Sequence, residues 1–126
     1  MKIGGKKKDI KKELKRECDK AWFEKHCEEN CEVCGCSEGL QVHHFYYKSG
    51  FGHLRYDDNN AITLCKKCHF ILHHQDPKKI TDIIIERRGK KWHEDLKKRA
   101  YEKPKPSFKT KQWYSNQLKS LNENTH

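Results

Sequence analysis

The chain has 126 residues and a net charge of +10, with 37% of its residues charged and 33% hydrophobic. That length suits one domain with extensions and leaves no room for a second full one, since domains commonly occupy about 100 to 150 residues. A mean hydropathy of −1.18 leaves little apolar surface to offset a backbone ordering cost of about 1 to 2 kcal/mol per residue, so a metal-stapled fold is expected.

Apolar runs such as Ile83-Ile84-Ile85 are far shorter than the roughly 20 residues of a membrane span, and no membrane segment is expected. The start, Met1-Lys-Ile-Gly-Gly-Lys-Lys-Lys, is basic without an apolar signal core, which predicts a cytoplasmic location. In a reducing compartment the seven cysteines point to metal ligation rather than disulfides. Charge is uneven: residues 1–29 hold ten Lys/Arg against seven Asp/Glu, residues 77–121 fourteen against five, and residues 30–76 four against five. A near-neutral centre between cationic arms suits a polyanion, bound with release of counterions. DNA is the expected partner, and RNA fits the same electrostatics.

In chain order, residues 6–28 read as a helix, with Ile10, Leu14, Cys18, Ala21 and Trp22 at three- and four-residue steps and no Gly or Pro inside. Trp22 and Phe23 are expected to pack on the centre. From Glu29 to Gly39 the pattern becomes a cysteine knuckle, with Gly35 giving the turn its freedom. Leu40, Val42 and Phe45 suggest a short strand, with His43 and His44 at its end. Lys48–Asn60 is a connecting loop, Ala61–Leu64 a second strand, and a helix is expected from about Cys68 to His74.

Asp76-Pro77 supplies an N-cap and a first-turn proline for a helix ending at Gly89, with Ile80, Ile83 and Ile84 as its buried stripe. A helix over Trp92–Tyr101 precedes the stiff Lys103-Pro-Lys-Pro106 linker. The last helix, about Thr110–Leu121, offers Trp113, Gln117, Leu118 and Leu121 on one side, and residues 122–126 are expected to be disordered. The organisation is therefore a basic helical arm (1–29), a metal-bound core (30–76) and a basic helical extension (77–126).

Two sets of residues in the core carry chemistry. Cys31-x2-Cys34 and Cys65-x2-Cys68 are two chelating pairs, and four thiolates suit a tetrahedral structural zinc. Cys36 is a poorer substitute for Cys34 because a one-residue spacer chelates badly, while Cys18 and Cys27 read as ordinary helix residues. His69 and His73, four apart on a helix, share a face and can grip one ion. His43 and His44 are neighbours on a strand, where side chains alternate, so one can bind the ion while the other stays free to take a proton from water. His53 and His74 have no place in this pattern. Arg55, Lys66 and Lys67 are candidate phosphate contacts, the lysines aided by the start of a helix.

The set His43-His44, Asn60 and His69-x3-His73 resembles the HNH endonucleases of the ββα-metal class, which include the nuclease colicins, homing endonucleases and the HNH domain of Cas9. The resemblance implies an α+β fold: a small zinc-stapled ββα-metal core with flanking N- and C-terminal helices. It implies His43, His69 and His73 as ligands of one catalytic metal, His44 as general base, and Asn60 as the residue that holds the loop and orients His44. Three imidazoles favour Zn, Ni or Mn over the oxygen-seeking Mg. The implied activity is hydrolysis of DNA phosphodiester bonds. The whole chain also resembles phage NinG-type recombination nucleases through its N-terminal helix, its knuckle, Leu54-Arg-Tyr-Asp-Asp-Asn-Asn60 and its Gly89-containing helical tail, which implies branched or phage DNA as substrate. Two other readings of the same residues are a noncatalytic zinc-ribbon module that binds nucleic acid and an assembly protein with a decayed nuclease core.

Overall fold

Two four-residue strands frame the protein in the computed structural model, which describes residues 9–123. β1 (Gln41–His44) pairs antiparallel with β2 (Ala61–Leu64), with His43 opposite Ile62 and His44 opposite Ala61. All of β2 is buried, while β1 is only half covered, so the sheet has one strand in the core and one at its edge. The loop between them tightens into two single helical turns, Gly52–Leu54 and Asp58–Asn60.

Before the sheet comes α1 (Ile10–His26), opened by Asp9, whose carboxylate accepts from the Lys12 amide at 3.1 Å. The helix is shorter than the expected 6–28, and residues 6–8 lie outside the described residues. Its buried residues are Cys18 and Trp22, one turn apart, whereas Phe23 is 43% exposed and does not pack on the centre.

After β2, α2 (Lys66–Phe70) begins two residues before the expected start, because the Cys65 thiol caps the helix by accepting from the Cys68 amide. It then widens into a π turn over Ile71–Gln75, closed by the Asp76 amide donating to the Ile71 carbonyl at 2.8 Å. A straight α-helix was expected there. The wider turn appears where Leu72 must stay in the core while Asp76 is held as the N-cap of the next helix, its side chain accepting from the Lys79 amide. That helix, α3 (Pro77–Arg88), buries Ile80 and Ile84 fully and Ile83 only in part. Gly89, at a φ of +101° that strains any other residue, turns the chain directly into α4 (Lys90–Ala100). α5 (Lys111–Glu123) lies along α1; Tyr114 and Leu121 are its buried residues, and Asn122 and Glu123 are helical rather than disordered. Residues 124–126 lie outside the described residues.

Three apolar clusters result. One joins the thiols Cys31, Cys65 and Cys68 to Ile62, Leu64, Leu72, Ile80 and Ile84. A second joins α1 to α5 and the sheet through Cys18, Trp22, Tyr56, Ala61, Tyr114 and Leu121. The third packs Leu54 against Leu96 and Ala100 of α4. Arginine forks tie these parts together: Arg55 on Asp19, Arg88 on Glu32 and Arg99 on Asp57, each with two nitrogens on one carboxylate. Such planar two-point pairing fixes orientation as well as distance. The fold is α+β, a two-stranded sheet and helix carrying the thiol cluster, with helices flanking it on both sides of the chain.

Candidate metal centres and active site

The Sγ atoms of Cys31, Cys34, Cys65 and Cys68 all lie within 4.8 Å of one another. Each Cys-x2-Cys turn aims a backbone amide at its own first sulfur: Cys34 N–H at Cys31 (3.5 Å) and Cys68 N–H at Cys65 (3.4 Å). Gly35, at a φ of +81°, lets the first turn close, with its amide donating to the Cys31 carbonyl at 2.9 Å. Burial pushes the Cys65 thiol up, but the Cys68 amide and the neighbouring thiols outweigh it and leave the group at about 6. Burial, then the Cys31 and Cys65 thiols, push Cys68 the other way, so the close thiols share protons that a bound metal would displace. Cys36 is not one of the four converging sulfurs; it is exposed, donates to the Glu38 carbonyl and borders the same cleft as Cys34, Cys65 and Cys68. Cys18 shows the contrast: burial first, then Asp19 and Glu17, push it up to about 11, and it donates to the Tyr114 carbonyl as an inert core group. The four thiols fit a structural metal such as zinc.

Farther along α2 a second set of donors converges. One ring nitrogen each from His43, His69 and His73 lies within 4.8 Å of the others, and the His43 and His69 rings stack at 4.1 Å. β1 delivers His43, while α2 and the π turn deliver the other two. His43 Nε2 is buried with no hydrogen-bond partner, a position that a polar atom occupies at a cost of about 1 to 3 kcal/mol unless something else binds it. Burial, then the neighbouring imidazoles, hold His43 down at about 4, so it is a neutral donor at physiological pH. The orphaned nitrogen and the three-nitrogen donor set fit a divalent ion.

His44 is not one of the three converging rings; it packs on α1 at the edge of the same cleft. Its ring lies flat on the Trp22 indole, with centroids 4.2 Å apart and planes 8° from parallel. Its Nε2 is 2.9 Å from the Arg55 carbonyl, and since a carbonyl can only accept, Nε2 carries the proton and Nδ1 the lone pair. Burial holds His44 at about 4, against the opposing pull of the Arg55 carbonyl, so the ring is neutral. His43, His44 and His73 share an open cleft of about 550 Å³ with Tyr47, Lys48 and Ser49.

Asn60 is fully buried and spends its whole amide on the loop. Oδ1 accepts from the Tyr46 amide (2.7 Å), and Nδ2 donates to the Tyr46 and Leu54 carbonyls (3.1 Å each). Asn60 makes no direct bond to His44; it fixes Leu54, the residue before the carbonyl that holds His44. Arg55, expected to meet phosphate, has its guanidinium on Asp19 at 2.9 and 2.8 Å. Lys66 and Lys67 are exposed and line a separate cleft with Phe70, Ile71 and Gln75, and Lys67 also borders the thiol cluster. His53 is bonded to the Arg99 carbonyl and His74 is exposed beside Phe70, so neither joins the cluster. Sequence reasoning missed Trp22 as the partner of His44, and also Tyr47, Lys48 and Ser49. The last three follow His44 so closely that their place in the cleft was readable; nothing local marked Trp22.

No helix among the described residues is long and apolar enough to cross a membrane. No curated protein and no solved structure matches the chain. Residues 31–79, which contain both ligand clusters, His44 and Asn60, match the family model described as HNH endonuclease, a match that suggests a nuclease or nucleic-acid-related function.

Proposed function

We propose that the protein is a metal-dependent endonuclease that hydrolyses phosphodiester bonds of DNA. One observation carries the reading: three imidazoles each bring a ring nitrogen within 4.8 Å of the others, His43 Nε2 is buried without a hydrogen-bond partner, and in the same cleft His44 is fixed as a neutral tautomer with its Nδ1 lone pair unprotonated. A structural zinc requires only the cysteines, and a module that merely binds nucleic acid requires neither histidine arrangement.

A divalent ion on His43, His69 and His73 would supply Lewis-acid stabilisation of the charge that develops on the phosphate and on the departing sugar oxygen. The all-nitrogen donor set places Zn, Ni or Mn ahead of Mg. His44 takes a proton from water at Nδ1, and the positive ring that results keeps its Nε2–H bond to the Arg55 carbonyl, which supports the charge. Asn60 keeps the loop that carries this carbonyl at its proper height. Lys48 at the cleft, with Lys66 and Lys67 farther along α2, offers cations to neighbouring phosphates; the Arg55 fork is already committed to Asp19.

The test is nicking of supercoiled plasmid by purified protein with Zn, Ni, Mn or Mg, with EDTA controls and a branched DNA in parallel. His44→Ala should lower the metal-dependent rate by about 10² to 10⁴-fold while zinc content and fold stay intact. Undiminished nicking by this variant rejects the assignment of the base. Tight DNA binding by the wild type without cleavage in any metal rejects the enzyme in favour of a binding module.

A further inference from the structure

The segment that matches the nuclease family starts at residue 31, yet the ring and the carbonyl-bearing loop that hold His44 are themselves held by α1, which precedes it. Asp19, Trp22 and His26 stand at i, i+3 and i+7, on one stripe of α1. Each meets the site region at a different point. Asp19 takes the Arg55 guanidinium at 2.9 and 2.8 Å and the Tyr56 hydroxyl at 2.7 Å. Trp22 lies under the His44 ring, and His26 sits edge-on to Trp22 while bonding Asp58 at 2.9 Å.

Two of these contacts converge on one imidazole. The Arg55 residue that Asp19 grips by its side chain is the residue whose backbone carbonyl accepts the His44 Nε2 proton. A rotation of the Arg55 backbone would free that proton and allow the other tautomer, with Nδ1–H and no lone pair toward the reaction. The stack adds the second constraint, since two parallel rings 4.2 Å apart cannot tilt independently. Trp22 Nε1 is buried without a hydrogen-bond partner, so the faces of the ring, not its N–H, set its place. The helix is in turn braced from behind by α5, where Cys18 donates to the Tyr114 carbonyl.

We propose that α1 is a working part of the active site, with Asp19 and Trp22 as positioning residues that lock His44 in the Nε2–H tautomer and in the plane from which Nδ1 acts. The inference rests on His44 being the base of the proposed nuclease, but the tautomer itself can be read without any cleavage.

The experiment compares wild type, Asp19→Asn, Trp22→Ala and Trp22→Phe in the full chain, with zinc content and thermal unfolding as controls for folding. Ring ¹⁵N shifts at neutral pH should show His44 as the Nε2–H tautomer in the wild type and as a mixture in Asp19→Asn and Trp22→Ala. In the nicking assay those two variants should lose about ten- to a hundredfold in kcat with KM unchanged, and Trp22→Phe should recover most of the loss. A wild-type Nδ1–H tautomer, or folded Asp19→Asn and Trp22→Ala proteins with wild-type ring shifts, overturns the proposal. Wild-type shifts that move as expected in a protein that cleaves nothing would retain the positioning contacts and reject the nuclease.

Discussion

The cysteine cluster and the histidine cluster draw ligands from the same short helix and the turn that extends it, and their surroundings differ in kind. Three of the four cysteines are at most 3% exposed among aliphatic neighbours, and Cys34 alone of the four is exposed. The histidines are only half-covered, His73 is exposed, and a cleft opens beside them. Four thiolates complete a tetrahedral set and leave no position for a reactant, whereas three imidazoles leave one free. The shared helix serves both because its first turn is tight, capped by a thiol, and its last turn is wide.

Breaking the sulfur side should have the largest effect. Zinc bound to such a site contributes about 10 to 16 kcal/mol in apparent terms, comparable with or above the 5 to 15 kcal/mol that holds a whole domain. Cys65→Ser is therefore expected to abolish zinc retention and cooperative thermal unfolding together, read by metal analysis and circular dichroism. On the imidazole side, His73→Ala should leave zinc at the cysteines and the melting temperature within a few degrees, yet reduce metal-dependent nicking by about a hundredfold or more. A collapse of the fold in that variant would erase the distinction between the two centres. Asn60→Ala lies between them in effect: it strands the Tyr46 amide and carbonyl, leaves the Leu54 carbonyl with the Asp57 amide alone, and should cost about 1 to 3 kcal/mol in denaturant unfolding with zinc retained. The smallest effect belongs to Cys36→Ser, which should leave zinc stoichiometry unchanged because that sulfur is turned toward Glu38.

Both clusters were legible in the sequence because their ligands are paired at short range, and turn or helix geometry alone brings each pair together. The antiparallel sheet then joins the pairs, and its strands were marked by Leu40, Val42 and Ala61–Leu64. The role of Asn60 was only half legible: its burial and loop contacts fit the resemblance, but its link to His44 runs through Leu54 and Arg55. Arg55 itself looked like a phosphate ligand because its partner, Asp19, lies 36 residues earlier, and no periodicity connects the two. The same limit hid the meeting of Trp22 with His44 and led to Phe23 being assigned an inward face. The π turn was invisible for another reason: the sequence over Ile71–Gln75 is compatible with an α-helix, and the choice is made by Leu72 in the core and Asp76 at the next cap.

The seating of His44 on an aromatic shelf from α1 changes where the physical unit of this protein begins. Trimming the polypeptide to residues 31–79 would keep every candidate ligand, yet remove the Trp22 shelf, the Asp19 clamp and the α5 brace in one cut. Activity measured on such a fragment would report on an unmoored imidazole, and a weak result there would say little about the parent molecule.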